Sequence, residues 1–413
     1  MSESPLGLVA RLAVVLLAAG LARVRPQWLV PTLLALVPLQ LGAFSDVDLA
    51  TLAVVGGVAA RAPEILAMVA RQPLAIAALG LFPLWIVAST FWARQPTFVA
   101  DLLGKWLTLV AAALLATVHR ERDPRPIVVG ALAGAVPAAL WALGERLHLI
   151  APRGDPRLLE QQLIRYGDLV RGRALFHHPN KLAEYLEQVG LLLAAVGFGG
   201  MLPLACLAGF AVALAGVWGT NSMGALGIFA GGGVVLAAVA ARPQSLWRYR
   251  RWLVAAAVVA AAVMGWYAFR AHGGLGSRSI VYEFALEVIS RRPWLGLGGG
   301  NWSLAVGSAP SSVSRFWFQS HPHSLYLMIV AELGVVGLGL AAVFFGVPLW
   351  IALQRIAETP LDWRPVRIGA IAAVVAILCH GFVNYFLRYP VNGITTGVML
   401  GLALGGGWRA SDR

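Results

Sequence analysis

"FQSHPHSLYLMIVAELGVVGLGL", residues 318–340, sets two histidines, His321 and His323, on the lip of a run apolar enough to cross a bilayer. One of the most polar segments of the chain comes just before it. Such apolar runs recur throughout the 413 residues, of which 59% are hydrophobic and 12% charged, at a mean hydropathy of +0.75. Repeated stretches of that length mark a polytopic membrane protein and exclude a soluble fold. In order, the expected spans lie near 7–22, 27–45, 73–92, 99–118, 126–147, 181–199, 201–218, 223–241, 252–270, 324–352, 366–387 and 390–408, about twelve transmembrane helices. A weakly apolar segment, 47–60, reads either as a thirteenth span or as an interfacial helix. The first run lacks a basic n-region and a small-residue cleavage site, so it reads as a retained helix and not a signal peptide. The expected fold is all-α, with one integral-membrane domain over residues 1–413.

The net charge of +13 is nearly all arginine, Lys105 and Lys181 being the two lysines. Basic residues crowd the short loops 119–125, 242–251 and 353–367 and the tail (Arg409, Arg413), which the positive-inside rule assigns to the cytoplasm. The long polar loops 148–180 and 271–322 then fall together on the external face. Arg23 and Arg25 agree only if 47–60 also spans. Cys206 and Cys379 lie in apolar runs, where they serve as small hydrophobes, and no disulfide is expected.

Both external loops break the positive-inside pattern. Loop 148–180 carries Arg153, Arg157, Arg165, Arg171 and Arg173, and loop 271–322 carries Arg278, Arg291, Arg292 and Arg315. A guanidinium fork kept on the disfavoured side suits phosphate or carboxylate, gripped bidentately. The alternative for any one of them is snorkelling to lipid headgroups, the reading taken for Arg291 and Arg292. The first loop ends in "RGRALFHHPNKLAEYLE" (171–187), where Asn180 is expected to cap a helix starting at Lys181, with Glu184 near its third position. In the second, 280–290 has helical spacing, with Ile280, Phe284 and Val288 apolar against Glu283 and Glu287, as in a helix lying on the membrane surface. "GLGGGN" (296–301) lacks the strand and the third glycine of a dinucleotide loop, so its glycines read as tight turns. At "SHPHS", Ser320 is the expected N-cap, which puts His323 near the third helical position. There the dipole favours a neutral ring able to accept a proton. A neutral base beside guanidiniums at an external bilayer edge suits transfer from a lipid diphosphate. Metal chemistry is not expected: His177 and His178 are adjacent, no H-x-x-x-H occurs, and "DVD" (46–48) is a short run.

At these residues the chain resembles the O-antigen ligase and polymerase (Wzy/WaaL) superfamily. The family's R-x-x-G-x-F-x-x-P-N pattern stands as Arg171 to Asn180, with Ala174 in place of the glycine. Its R…P-x-x-G-x-G pattern is matched by Arg278, Pro293, Gly296 and Gly298. Its H-N-x-x-L…E-x-G-x-x-G pattern is matched by His323, Leu327, Glu332, Gly334 and Gly337, with Ser324 for asparagine. "ASTFWARQP" (88–96) and "TNSMGAL" (220–226) resemble two further motifs, the second with Met223 in place of arginine. The resemblance implies a GT-C-like glycosyltransferase of the bacterial inner membrane with its site on the periplasmic face, the loops 148–180 and 271–322 forming the rim. It implies a metal-independent, inverting transfer from undecaprenyl-diphosphate-linked glycan without a cofactor, with His323 as base and Arg171 and Arg278 at the diphosphate. Arg173, Asn180, His321 and Glu332 are expected to bind substrate. The acceptor is lipid A–core for a ligase, or a second lipid-linked glycan for a polymerase; protein O-glycosylation and, from another class, a lipid-linked glycan transporter are the remaining readings. Membrane lipids are expected partners and nucleic acid is not.

The expected sidedness is open to test. Single cysteines at Gly154 and Ser311 should react with a membrane-impermeant thiol reagent in intact cells, whereas one at Gln244 should not. Labelling of the opposite set would invert the topology.

Overall fold

The computed structural model describes residues 5–39, 49–119, 123–152, 165–166, 169–240, 277–309, 321–388 and 390–405. Its helices are α1 Pro5–Val24, α2 Leu29–Leu36, α3 Leu49–Ala60, α4 Ala62–Arg71, α5 Pro73–Ala88, α6 Pro96–Thr117 and α7 Arg125–Arg146. After a two-residue hairpin, β1 Arg165–Tyr166 antiparallel to β2 Leu169–Val170, come α8 Pro179–Phe198, α9 Pro203–Gly219 and α10 Met223–Ala240. Then follow α11 Ser277–Arg291, α12 Trp302–Gly307, α13 Leu325–Gln354, α14 Arg364–His380 and α15 Pro390–Gly405. Several helices open on proline at the first helical position, among them α5, α6, α8 and α9, where the missing N–H is not needed and φ is already set.

Each expected span overlaps a helix except 252–270, which lies outside the described residues; within 27–45 the helix runs over Leu29–Leu36, and residues 40–45 also lie outside the described residues. Length and apolarity alone nominate fewer crossings. Among the described residues four helices pass, Pro73–Phe91, α6, α7 and α13, and α3 with α4 makes a fifth as a pair bent by 75°. Within the segment 47–60, Leu49–Ala60 is one helix, α3, and at its end the chain turns by 75° into α4, where Leu66 is exposed.

At the centre lies α8, with all residues but Asn180 buried from Pro179 to Gly197, packed among α7, α9, α10, α14 and α15. On α15, glycines recur every fourth residue at 393, 397, 401 and 405 and form a groove against α6. A Cβ at Gly397 would stand 2.2 Å from the Leu109 carbonyl oxygen, and one at Gly401 2.2 Å from that of Ala113. Such small-residue stripes let helix backbones approach where lipid offers no hydrophobic drive to association.

Helix α13 is broken. Gly334 has φ 72° and ψ −177°, a conformation open essentially to glycine alone. The break releases carbonyls that the loop 293–301 and α5 take up. Leu297 N–H donates to the Ala331 carbonyl (3.0 Å), Gly298 N–H to that of Glu332 (2.8 Å), and Trp85 Nε1–H to that of Leu333 (3.0 Å). In return Val335 N–H donates to the Pro293 carbonyl at 2.8 Å.

Four local expectations are corrected. Helix α13 starts at Leu325 with Ser324 as N-cap, its side chain accepting from Leu327 N–H, so His323 precedes the helix and the dipole reasoning for a third-position ring falls. Ser320 lies outside the described residues. Helix α8 starts at Pro179 with His178 as N-cap, because the His178 Nδ1 accepts Asn180 N–H at 3.1 Å; Asn180 is already inside the first turn. Span 366–387 is not one helix: α14 stops at His380, and a turn precedes the 3-10 segment Phe386–Arg388. Helix α11 buries Val281, Ala285 and Val288, so its apolar face is turned onto the protein, where Phe284 meets Trp302 edge to face.

Gly334→Ala should therefore be severe: its Cβ would stand 1.9 Å from the Trp294 carbonyl oxygen at a backbone angle alanine avoids. A loss of about 3 kcal/mol or more is expected, read as a lowered melting temperature in detergent. Gly339→Ala, with open space around it, should be nearly silent.

Candidate functional site

One end of the bundle gathers the motif-bearing segments: the α5–α6 turn, the segment before α8, the α9–α10 turn, 293–301, 321–324 and the turn after α14. Toward the opposite end, among the described residues, Arg61 donates to the Val118 carbonyl, Arg355 to Gln72 and Arg367 to the Arg355 carbonyl.

The Arg171 segment is pinned from below. Gly172 N–H donates to the Gly219 carbonyl at 2.9 Å, and a Cβ at Gly172 would stand 2.1 Å from the Ala142 carbonyl oxygen. Glu145, buried at the end of α7, accepts the N–H groups of Arg173 (2.7 Å) and Ala174 (2.9 Å) through one carboxylate oxygen. Thus fixed, Arg171 donates through Nε to the Thr220 carbonyl (3.0 Å) and through Nη2 to Asn180 Oδ1 (2.5 Å). Arg173 donates outward to the His177 carbonyl at 3.2 Å. The alanine that replaces the family's glycine, Ala174, has φ 49°, which accounts for glycine being the usual residue there.

The histidine segment is short and tightly folded. His321 is buried, and its Nδ1 accepts His323 N–H at 3.1 Å. The two rings meet at 4.7 Å and His321 meets the Tyr385 ring at 5.6 Å. His323, half-buried with φ 49°, receives a long bond from Tyr282 Oη–H to its carbonyl (3.4 Å). Immediately beyond, Leu325 N–H donates to the carbonyls of Gly381 (2.7 Å) and Asn384 (3.1 Å). Serine at 324 keeps the capping function that asparagine would supply.

A buried polar cluster joins the two segments, and sequence reasoning missed it. Lys181 Nζ pairs with Glu184 Oε1 at 3.0 Å and donates to the Tyr385 carbonyl at 2.6 Å. Glu184 also accepts from the amide nitrogens of Asn384 (2.7 Å) and Asn392 (2.6 Å). One helical turn on, Glu187 meets His380 Nδ1 at 2.9 Å. The interior of α8 thus carries charged side chains, each with a partner from another element. The usable signal was Lys181, Glu184 and Glu187 at helical spacing inside an apolar run, which in a membrane marks a functional candidate with its partners still to be found.

The other expected site residues stand on α13 and α11. Glu332 is buried beside the α13 break, its carboxylate accepting Trp302 N–H at 3.0 Å, so it anchors the 293–301 loop. Arg278 occupies the second position of α11. The motif at 88–96 has a structural partner too: Ser89 Oγ accepts Gly299 N–H (3.0 Å), Trp92 Nε1–H donates to the Leu295 carbonyl (3.0 Å), and Gln95 N–H donates to Asn301 Oδ1 (2.8 Å). Gly296 and Gly298 have φ 67° and 89°, as tight turns require. No cluster of three or more metal-ligating side chains occurs among the described residues.

The positive φ of Ala174 carries a measurable consequence. A buried alanine changed to glycine ordinarily loses about 1 kcal/mol, as Ala183→Gly in α8 should. At Ala174 the relief of a left-handed backbone, worth about 1–2 kcal/mol, should offset that loss. Ala174→Gly is expected to leave the melting temperature unchanged or raise it.

Residues 208–342 match the family model Wzy_C, described as O-antigen ligase. This match supports the resemblance of the motifs to the O-antigen ligase/polymerase superfamily. The matched region includes Arg278, His323 and Glu332; Arg171, Arg173 and Asn180 lie ahead of it. No curated protein matches the chain.

Proposed function

We propose that the chain is an inverting, metal-independent glycosyltransferase of the bacterial inner membrane. It moves a glycan from undecaprenyl diphosphate to an acceptor hydroxyl on the periplasmic face. The observation that carries this reading is the junction at the start of α8: Asn180 holds Arg171, and the next residue, Lys181, holds the Tyr385 carbonyl beneath His321. A guanidinium suited to diphosphate and an imidazole suited to a proton thus share one rigid helix end, and the family match supports the same chemistry.

In the proposed step the acceptor hydroxyl gives its proton to the His323 imidazole as its oxygen attacks the anomeric carbon. The bond from that carbon to the diphosphate oxygen breaks on the opposite face, and the electron pair leaves with undecaprenyl diphosphate. Arg171 and Arg278 neutralise the charge that grows on the departing group, an interaction strongest in the transition state. The imidazolium later releases its proton to water. In this reading the external loops 148–180 and 271–322 form the rim of the site, in a single integral-membrane domain of about twelve spans.

Lipid A–core is the favoured acceptor, because the loop 271–322 is short and contains no large insert that would hold a growing polymer. Incubating purified protein with undecaprenyl-diphosphate-linked glycan, with and without lipid A–core, tests this: product only with lipid A–core identifies a ligase, and longer lipid-linked chains without it identify a polymerase. In that assay His323→Ala should lower turnover a hundred- to ten-thousandfold, about the contribution of a general base, with donor binding kept. Arg171→Lys should retain part of donor binding and lose about 3 kcal/mol of transition-state stabilisation. Equal, mild effects of lysine at Arg171, Arg278, Arg291 and Arg292 would reduce the rim to a diffuse positive surface.

A further inference from the structure

The Lys181–Glu184 pair is a costly feature whose role the transfer step does not specify. Their side chains are 4% and 0% exposed, and a buried ion pair is weak support for stability, since apolar residues of similar volume often serve as well or better. What it supplies instead is direction. The Lys181 Nζ fixes the Tyr385 carbonyl, and Glu184 Oε1 fixes the side chain of Asn384. Asn384 then folds its own turn by accepting Tyr385 N–H at Oδ1 (2.9 Å). Through its backbone carbonyl, with that of Gly381, the same turn holds Leu325 N–H, two residues beyond His323. The Tyr385 ring meanwhile backs His321, whose Nδ1 holds the backbone N–H of His323. Both flanks of His323 therefore lead back to the ion pair. Asn392 on α15, donating to Glu184 Oε2 and to the Lys181 carbonyl, braces the pair from behind.

We propose that Lys181 and Glu184 are positioning residues that set the His321–His323 turn at a fixed distance from Arg171. They use the 381–385 turn as the intermediary. Their place on α8 makes this work, since Asn180, the residue before Lys181, holds Arg171 from the same helical turn. The proposal rests on the reading of His323 as base, and it specifies what orients that base.

Two variants separate orientation from folding. Lys181→Met with Glu184→Gln removes both charges together, which avoids stranding one of them. Asn384→Ala leaves the ion pair and the Lys181 bond to the Tyr385 carbonyl intact and cuts the Glu184 link to the turn. Each is purified in detergent, melted, assayed for kcat and donor KM, and treated with diethyl pyrocarbonate, with carbethoxylation of His323 followed by peptide mass spectrometry. The expected result for both is a kcat lowered at least thirtyfold, a donor KM within about threefold of wild type, and a His323 modification rate changed at least fivefold. Should the double variant fail to fold, Asn384→Ala decides. Folded variants with wild-type kcat and an unchanged modification rate overturn the proposal. So does a lowered melting temperature with an unchanged modification rate, which assigns the pair to stability alone. A modification rate that changes while kcat does not supports the positioning role and removes His323 from the transfer, so failure of the base assignment is told apart from failure of the proposal.

Discussion

A buried backbone N–H or C=O without a partner costs about 1–3 kcal/mol, and the break at Gly334 exposes three successive buried carbonyls, those of Ala331, Glu332 and Leu333, to that penalty. Each is answered by a group from elsewhere in the chain: Leu297 and Gly298 from the glycine-rich loop and the indole of Trp85 from α5. This exchange fixes where the 293–301 loop sits. The α5–α6 turn then docks onto that loop through Ser89, Trp92 and Gln95. The spacing of glutamate and glycine in α13 is therefore explained by architecture, with Glu332 securing Trp302 and Gly334 allowing the turn.

The break also sets the height of the histidines. From Val335 to Gln354 the helix has about the twenty residues a bilayer requires. The preceding turns, 325–333, lift Ser324 and His323 beyond that length and toward the segments that carry Arg171 and Tyr385. A straight helix of thirty residues would be longer than a crossing needs. Irregular backbone at this depth is tolerated because it is buried in protein.

The other fixed reference is α8, whose burial on every side makes its first turn rigid. Two adjacent side chains there reach in different directions, Asn180 to the Arg171 segment and Lys181 to the turn after α14. Four segments distant in sequence, 171–174, 179–184, 321–325 and 381–385, so share one small volume. The family match covers one of these segments, and the fold supplies the other three.

The sequence by itself determined what depends on composition and on short spacing. The membrane class, the extents of most helices, the glycines as turn residues and the motif resemblance all follow from hydropathy or from residues a few positions apart, because these are local properties of the chain. The helix starts were displaced by one to a few residues, since capping at His178 and Ser324 depends on which side chain reaches an amide in three dimensions. Only the tertiary structure decided that Glu332 anchors a loop, that the span 366–387 breaks after His380, and that Lys181 and Glu184 hold the 381–385 turn. Those partners are about 200 residues apart in the chain. A buried charge announces that it needs a partner, and no local pattern says which distant carbonyl or amide will supply it.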